Sequence, residues 1–222
     1  MSASASSLQS SASPRMLIVV LAALALALLW FVSRTLHYLT NYSLASYTSY
    51  FWPRRAGLIP HLAGGSLAIG AGLVQIWLGL TNRVGRLHRA LGKVYGCGVL
   101  IAAIGGIYLA LTIPGHLTYS VGLLMLDVAW LLTTGMALYA VRSRRIEQHR
   151  EWMLRSYTVT FAFVTFRLGT YWLHRWLPAP GAADAVADDI DSLMAWACWA
   201  VPLLVAEPLI QLRSMRQAVR RR

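Results

Sequence analysis

Four histidines, His61, His88, His116 and His149, follow one another at intervals of 27, 28 and 33 residues. Each interval is about one membrane-crossing helix plus a turn, since about twenty residues at 1.5 Å rise span a hydrocarbon layer of roughly 30 Å. Each histidine stands at the start of an apolar run, and successive runs cross in opposite directions. His61 and His116 therefore share one side, and His88 and His149 the other. Two facing imidazoles can hold a haem iron from both sides, and two such haems in a four-helix core would carry an electron across a bilayer. On that reading the four are axial ligands of haem b, with Arg89, Lys93 and Arg150 as cationic partners for propionates beside His88 and His149. Two other readings stand next to it. Histidines at helix ends are tolerated simply because water is near. Alternatively His37, His61, His116 and His174, all on one side, suit a transition metal through neutral imidazole, although no carboxylate or thiol is evident beside them.

A second set of residues carries charge at membrane depth. Asp127 and Arg167 each lie roughly 10–13 Å from the same end of their helices at the helical rise. An isolated charge there costs on the order of 2.5–3.5 kcal/mol, so an Asp127–Arg167 ion pair is expected. Glu207 lies near the opposite side, with Gln75 at similar depth and Arg155 long enough to reach either. Glu207 is a proton or cation waypoint, or else the partner of Arg155. Pro208 after it removes a backbone hydrogen bond near the carbonyl of Leu204.

These residues need helices in a membrane to position them. The 222 residues are 57% hydrophobic and 13% charged, with a mean hydropathy of +0.54. A soluble domain of this length could not hide so much apolar surface. The net charge of +12 does not indicate nucleic acid, because the twenty Lys and Arg fall mostly in short clusters between apolar runs. Residues 1–15 are a Ser/Ala-rich tail expected to be disordered. Residues 16–212 hold six apolar segments, roughly Met16–Val32, Leu62–Leu80, Val94–Ile113, Tyr119–Val141, Trp152–Leu173 and Leu193–Leu212. Residues 213–222 form a basic tail. The first segment lacks the preceding charge and the cleavage site of a signal peptide, so it counts as a helix.

Basic residues orient the bundle. Arg83, Arg86, Arg89 and Lys93 lie between segments two and three, and Arg142, Arg144, Arg145, Arg150 and Arg155 between four and five. Arg213, Arg216 and Arg220 to Arg222 close the chain. The link "TIPGHLTYS" has no basic residue but histidine, and the five–six link carries four aspartates. The positive-inside rule then places both termini in the cytoplasm, with Arg54 and Arg55 dissenting. The expected fold is all-α: six transmembrane helices, helices two to five forming the core. Segments two and three, rich in small residues (Gly64, Gly65, Gly98, Ala102, Gly106), are expected to form a tight hairpin. "LTNYSLASYTSYFW" is aromatic enough to lie at the membrane surface. Cys97 and Cys198 fall near opposite faces, too far apart for a disulfide. "GAGLVQ" lies in an apolar helix and is no nucleotide loop.

Three stretches carry a resemblance: "PHLAGGSLAIGAGLVQ" with "GRLHRALGKVYGCGVLIAAIGGIYLA", "HREWMLRSYTVTFAFVTFRL", and "AWACWAVPLLVAEPLI". Together, from about Ile59 to Ile210, they resemble a prokaryotic integral-membrane family catalogued as domain of unknown function 2306. That resemblance implies a multi-pass protein of a prokaryotic inner membrane and no particular activity. The histidine layout is also similar to that of transmembrane di-haem cytochromes b, in which the first and third histidines serve one haem and the second and fourth the other. The specific reading is thus a haem-b electron carrier or reductase with unidentified redox donor and acceptor. The alternative is a cofactor-free transporter, sensor or accessory membrane protein using Asp127, Arg167 and Glu207.

Overall fold

The computed structural model describes residues 26, 29, 32–33, 35–81, 83–113, 117–177 and 183–220. The N-terminal tail, nearly all of the first apolar segment, His116 and the last two residues lie outside the described residues. Every regular element described is a helix. Helix α1 is described over residues 35–40, followed by α2 (Leu44–Phe51), a 3₁₀ turn (Trp52–Arg54), α3 (Arg55–Leu80) and α4 (Arg86–Thr112). Then come α5 (Leu117–Arg142), α6 (Ile146–Thr160), α7 (Ala162–Trp176) and α8 (Ala183–Arg220). Four stretches are long and apolar enough to cross a membrane: Leu44–Gly79, Arg86–Thr112, Leu117–Arg142 and Val186–Arg216. They match segments two, three, four and six.

The hairpin of α3 and α4 forms as expected, through backbone contact. A Cβ on Gly64 would meet Gly98 O and Ala102 N at 2.6 Å, and one on Gly98 would meet Gly64 O at 2.8 Å. Gly57 and Gly105 continue the seam. In lipid no hydrophobic force drives helices together, so such close approach supplies the association through dispersion. Gly70 and Gly79 face open space, so only part of the glycine content is structural.

The fifth apolar run differs from expectation. It is two 15-residue helices, α6 and α7, divided at Phe161. Neither proline nor glycine stands there. Instead, threonine hydroxyls turn back onto backbone carbonyls: Thr158 to Leu154, Thr160 to Ser156, and Thr165 to Phe161 and Cys198. Such back-bonding competes with the helical ladder and bends it.

A fully buried polar knot lies beside the break. Trp130 Nε1 donates to Thr160 Oγ1 at 2.8 Å, and Thr160 Oγ1 donates to the Ser156 carbonyl. With the Thr160 proton committed, the Tyr95 hydroxyl must donate to Thr160 (2.8 Å) and accept from Ser156 (2.6 Å). Ser156 then accepts from Thr134 at 2.7 Å. Every hydroxyl in this chain has one ordered role, which fixes α4, α5 and α6 in register. Around it pack Val99, Ala102, Leu126, Val159, Ala162, Met194 and Cys198.

The arginines that dissent from the charge rule have structural work. Arg54 Nε donates to Thr112 O, the end of α4, at 2.9 Å, and Arg55 Nε donates to the Tyr42 hydroxyl at 2.7 Å. Their guanidinium groups lie over the rings of Tyr50 and Trp52. They cap carbonyls and clasp the aromatic link, where Tyr47 is buried among Tyr38, Tyr42 and Trp52.

Candidate functional site

The Arg155–Glu207 pair forms. Arg155 Nε and Nη2 donate to Glu207 Oε2 and Oε1, both at 2.8 Å, and Gln211 Nε2 donates to Oε1. The Trp152 ring lies 4.8 Å from the guanidinium carbon. This closes α6 onto α8, and Ser214 bound to Glu151 adds a second tie between them. Gln75 turns elsewhere, donating from Nε2 to the His88 carbonyl, while its Oε1 is buried without a partner.

The expected Asp127–Arg167 ion pair does not form. Asp127 is 3% exposed, and among the described residues neither its carboxylate nor the Arg167 guanidinium has a hydrogen-bond or ion-pair partner. Both instead line one chamber of about 140 Å³, bordered by α2 and the 3₁₀ turn after it, α3, α4, α5 and α7. Arg167 also lines a vestibule of about 830 Å³ toward α1 and α8. Placing two residues at the same depth does not place them on facing sides, and a long arginine side chain turns toward the more polar space. Gly106 makes room for the acid, because a Cβ there would overlap the Asp127 carboxylate.

The histidines take distinct positions. His61 Nδ1 lies 3.0 Å from Ala102 O, and His149 Nδ1 lies 2.9 Å from Ala137 O. A carbonyl only accepts, so in both rings Nδ1 carries the proton and the neutral ring's Nε2 is bare. The same anchoring of one ring nitrogen on a backbone carbonyl orients metal-ligating histidines. His88 and His149 are near enough to interact electrostatically, and His88 Nδ1 is buried without a partner. Arg89, Lys93 and Arg150 are exposed at that end. His61 faces Phe163 with ring centroids 5.0 Å apart, and Phe163 faces Trp130 at 5.1 Å.

Among the described residues, His37, His61 and His174 of the four-histidine metal set are not grouped around a common point. His174 Nε2 engages Asp191 Oδ1 at 3.0 Å, His37 Nδ1 meets Asn41, and His116 lies outside the described residues. Among the described residues no three His, Cys, Asp or Glu side chains are grouped to hold a metal ion. The carboxylate beside His174 comes from α8, which sequence distance concealed.

The family model described as a predicted membrane protein, DUF2306, matches residues 58–210, well over half of the chain. The chain belongs to this family. The matched region of this DUF2306 protein runs from α3 into α8, and so contains the polar knot, the Arg155–Glu207 clasp and the chamber's lining apart from Tyr50, Phe51 and Arg54. No curated protein and no solved structure matches the chain. The polar knot is the feature that residue-by-residue reading missed. Its signal was Ser156 and Thr160 at i, i+4 spacing within an apolar run, which puts both hydroxyls on one helix face.

Proposed function

We propose that this membrane protein is a haem-b-type electron carrier or reductase of a prokaryotic inner membrane. The proposal has six crossings and, by the positive-inside rule, both termini in the cytoplasm. The observation that carries it is the set of ring nitrogens left for a ligand. His61 and His149 each have Nδ1 tied to a carbonyl of a neighbouring helix, and His88 Nδ1 is buried with no partner. Bare imidazole nitrogens have the chemistry of haem axial ligands; on this reading His88 and His149 would hold the group at the basic end, and His61 with His116, which lies outside the described residues, at the other. A haem so held supplies one-electron transfer. Ala102 and Ala137 keep the imidazoles in one tautomer and orientation, and Arg89, Lys93 and Arg150 offer positive charge to carboxylates at the basic end.

The test is optical. Protein purified from cells with ample haem supply is expected to show a Soret band and a sharp α band on dithionite reduction, both lost in His88→Ala or His149→Ala. A colourless wild-type preparation from such cells ends the proposal.

A second reading, a cofactor-free binding or transport protein, is favoured by a separate observation. Asp127 and Arg167, unpaired, share one chamber that joins a vestibule.

A further inference from the structure

The chamber has unusual contents. Asp127 is nearly fully buried, lines the chamber, and has no partner. Arg167 and Tyr119 line both the chamber and the vestibule, and neither the guanidinium nor the phenol hydroxyl is hydrogen-bonded among the described residues. Three polar groups without a hydrogen bond among the described residues therefore line one space, and of these Asp127 is buried, Tyr119 half-buried and Arg167 exposed. A buried polar group without a partner costs free energy, and a ligand that pairs it removes that cost. The rest of the wall is mostly apolar, including Leu62, Leu123, Leu126, Phe163 and Phe166, with Tyr50, Arg54 and His61 as its other polar members. Its volume, about 140 Å³, is close to that of the engineered apolar cavity of about 150 Å³ that takes one benzene.

We infer that this chamber binds a single-ring phenolic acid, with the ring between the leucines and phenylalanines, the hydroxyl on Asp127 and the carboxylate toward Arg167. The chemistry follows from each wall. An apolar ring matches the leucines and phenylalanines, whereas a polyhydroxylated ring would lose its hydration against them. A hydroxyl donor suits a carboxylate that no hydrogen-bond donor among the described residues reaches. An anionic head suits a guanidinium at the mouth, where five N–H donors can grip a carboxylate in bidentate fashion. The vestibule rim carries Thr170, His174, Arg175 and Asp191, a polar approach for a water-soluble ligand rather than a lipid tail. Binding rests on the chamber alone and needs no haem. If the haem reading holds, the place of His61 in the same wall sets the phenol beside an iron-ligating histidine.

The experiment is calorimetric titration of full-length protein in nanodiscs with 4-hydroxybenzoate, benzoate and phenol. Saturable one-to-one binding of 4-hydroxybenzoate is expected, with benzoate and phenol each at least about tenfold weaker, the difference of roughly one hydrogen bond. Arg167→Gln is expected to weaken 4-hydroxybenzoate by about tenfold or more and leave phenol unchanged. Asp127→Leu should weaken 4-hydroxybenzoate similarly and leave benzoate unchanged or tighter. No saturable binding of 4-hydroxybenzoate to wild type overturns the inference, as does equal affinity for all three probes. The wild-type and Arg167→Gln comparisons decide it even if Asp127→Leu fails to fold. Absorbance of the same preparation reports haem independently, so either idea can fail without the other.

Discussion

Removing Glu207 should damage this protein more than removing Arg155, its partner, and the reason is which charge is left behind. The Arg155 side chain is 11% exposed and the Glu207 side chain 41%. Two parallel charge-assisted bonds of 2.8 Å join them. Hydrogen bonds to charged groups contribute about 1.5–3 kcal/mol each in soluble proteins. Interhelical bonds in a membrane protein average about 0.6 kcal/mol and reach about 1.7. On the membrane scale two bonds give a coupling of about 1–3 kcal/mol. Glu207→Leu strands a buried guanidinium, held only by the Trp152 ring, and is expected to cost about 2–4 kcal/mol. Arg155→Leu leaves a carboxylate that keeps Gln211 and is less enclosed than the guanidinium, at a cost of about 1–2 kcal/mol. The double substitution should be scarcely worse than Glu207→Leu. Reversible unfolding of the four proteins in mixed detergent–lipid micelles, analysed as a double-mutant cycle, measures all three quantities. A coupling below about 0.5 kcal/mol, or Arg155→Leu as the costlier single change, would refute the reasoning.

Two further outcomes follow from the packing. Gly98→Val pushes a side chain into Gly64 O and Ala68 N, which are backbone atoms and cannot yield. The α3–α4 hairpin should separate and folded yield in detergent collapse, whereas Gly70→Ala, facing open space, should match wild type in size-exclusion profile and melting. Tyr95→Phe removes the central hydroxyl of the polar knot and leaves Ser156 without its acceptor. The expected loss is about 1–3 kcal/mol, read as a lowered midpoint in the same unfolding assay.

How far these features could be read from residues alone depended on whether one dimension was enough. Long apolar runs bounded by charge marked the existence of α3, α4, α5 and α8, because span length is set by the bilayer, but α3, α4 and α8 extend well beyond those runs into the polar flanks. The Arg155–Glu207 clasp was found from depth alone, since arginine is long enough to tolerate an error in direction. Depth failed for Asp127 and Arg167, where the azimuth of each side chain decides the contact and the run of residues holds little information about it. The break at Phe161 was hidden because its cause is distributed over Thr158, Thr160 and Thr165 rather than lodged in one proline. The knot of Tyr95, Ser156, Thr160, Thr134 and Trp130 joins three helices, and pairings of that range depend on packing that local pattern does not specify.

The division of the fifth run has a consequence for how the protein is made. A 15-residue helix is about 22 Å long, too short to cross by itself, and α6 carries Arg155 while α7 carries Arg167. Each arginine near the centre of a span opposes insertion by on the order of 2.5–3.5 kcal/mol. The acceptor that stabilises Arg155 is Glu207, which leaves the ribosome some fifty residues later. Until α8 has been synthesised, α6 and α7 form a nascent segment with an unanswered charge. Insertion of α6 and α7 is therefore expected to wait for α8, and a ribosome stalled before α8 emerges should leave residues 146–176 outside the lipid.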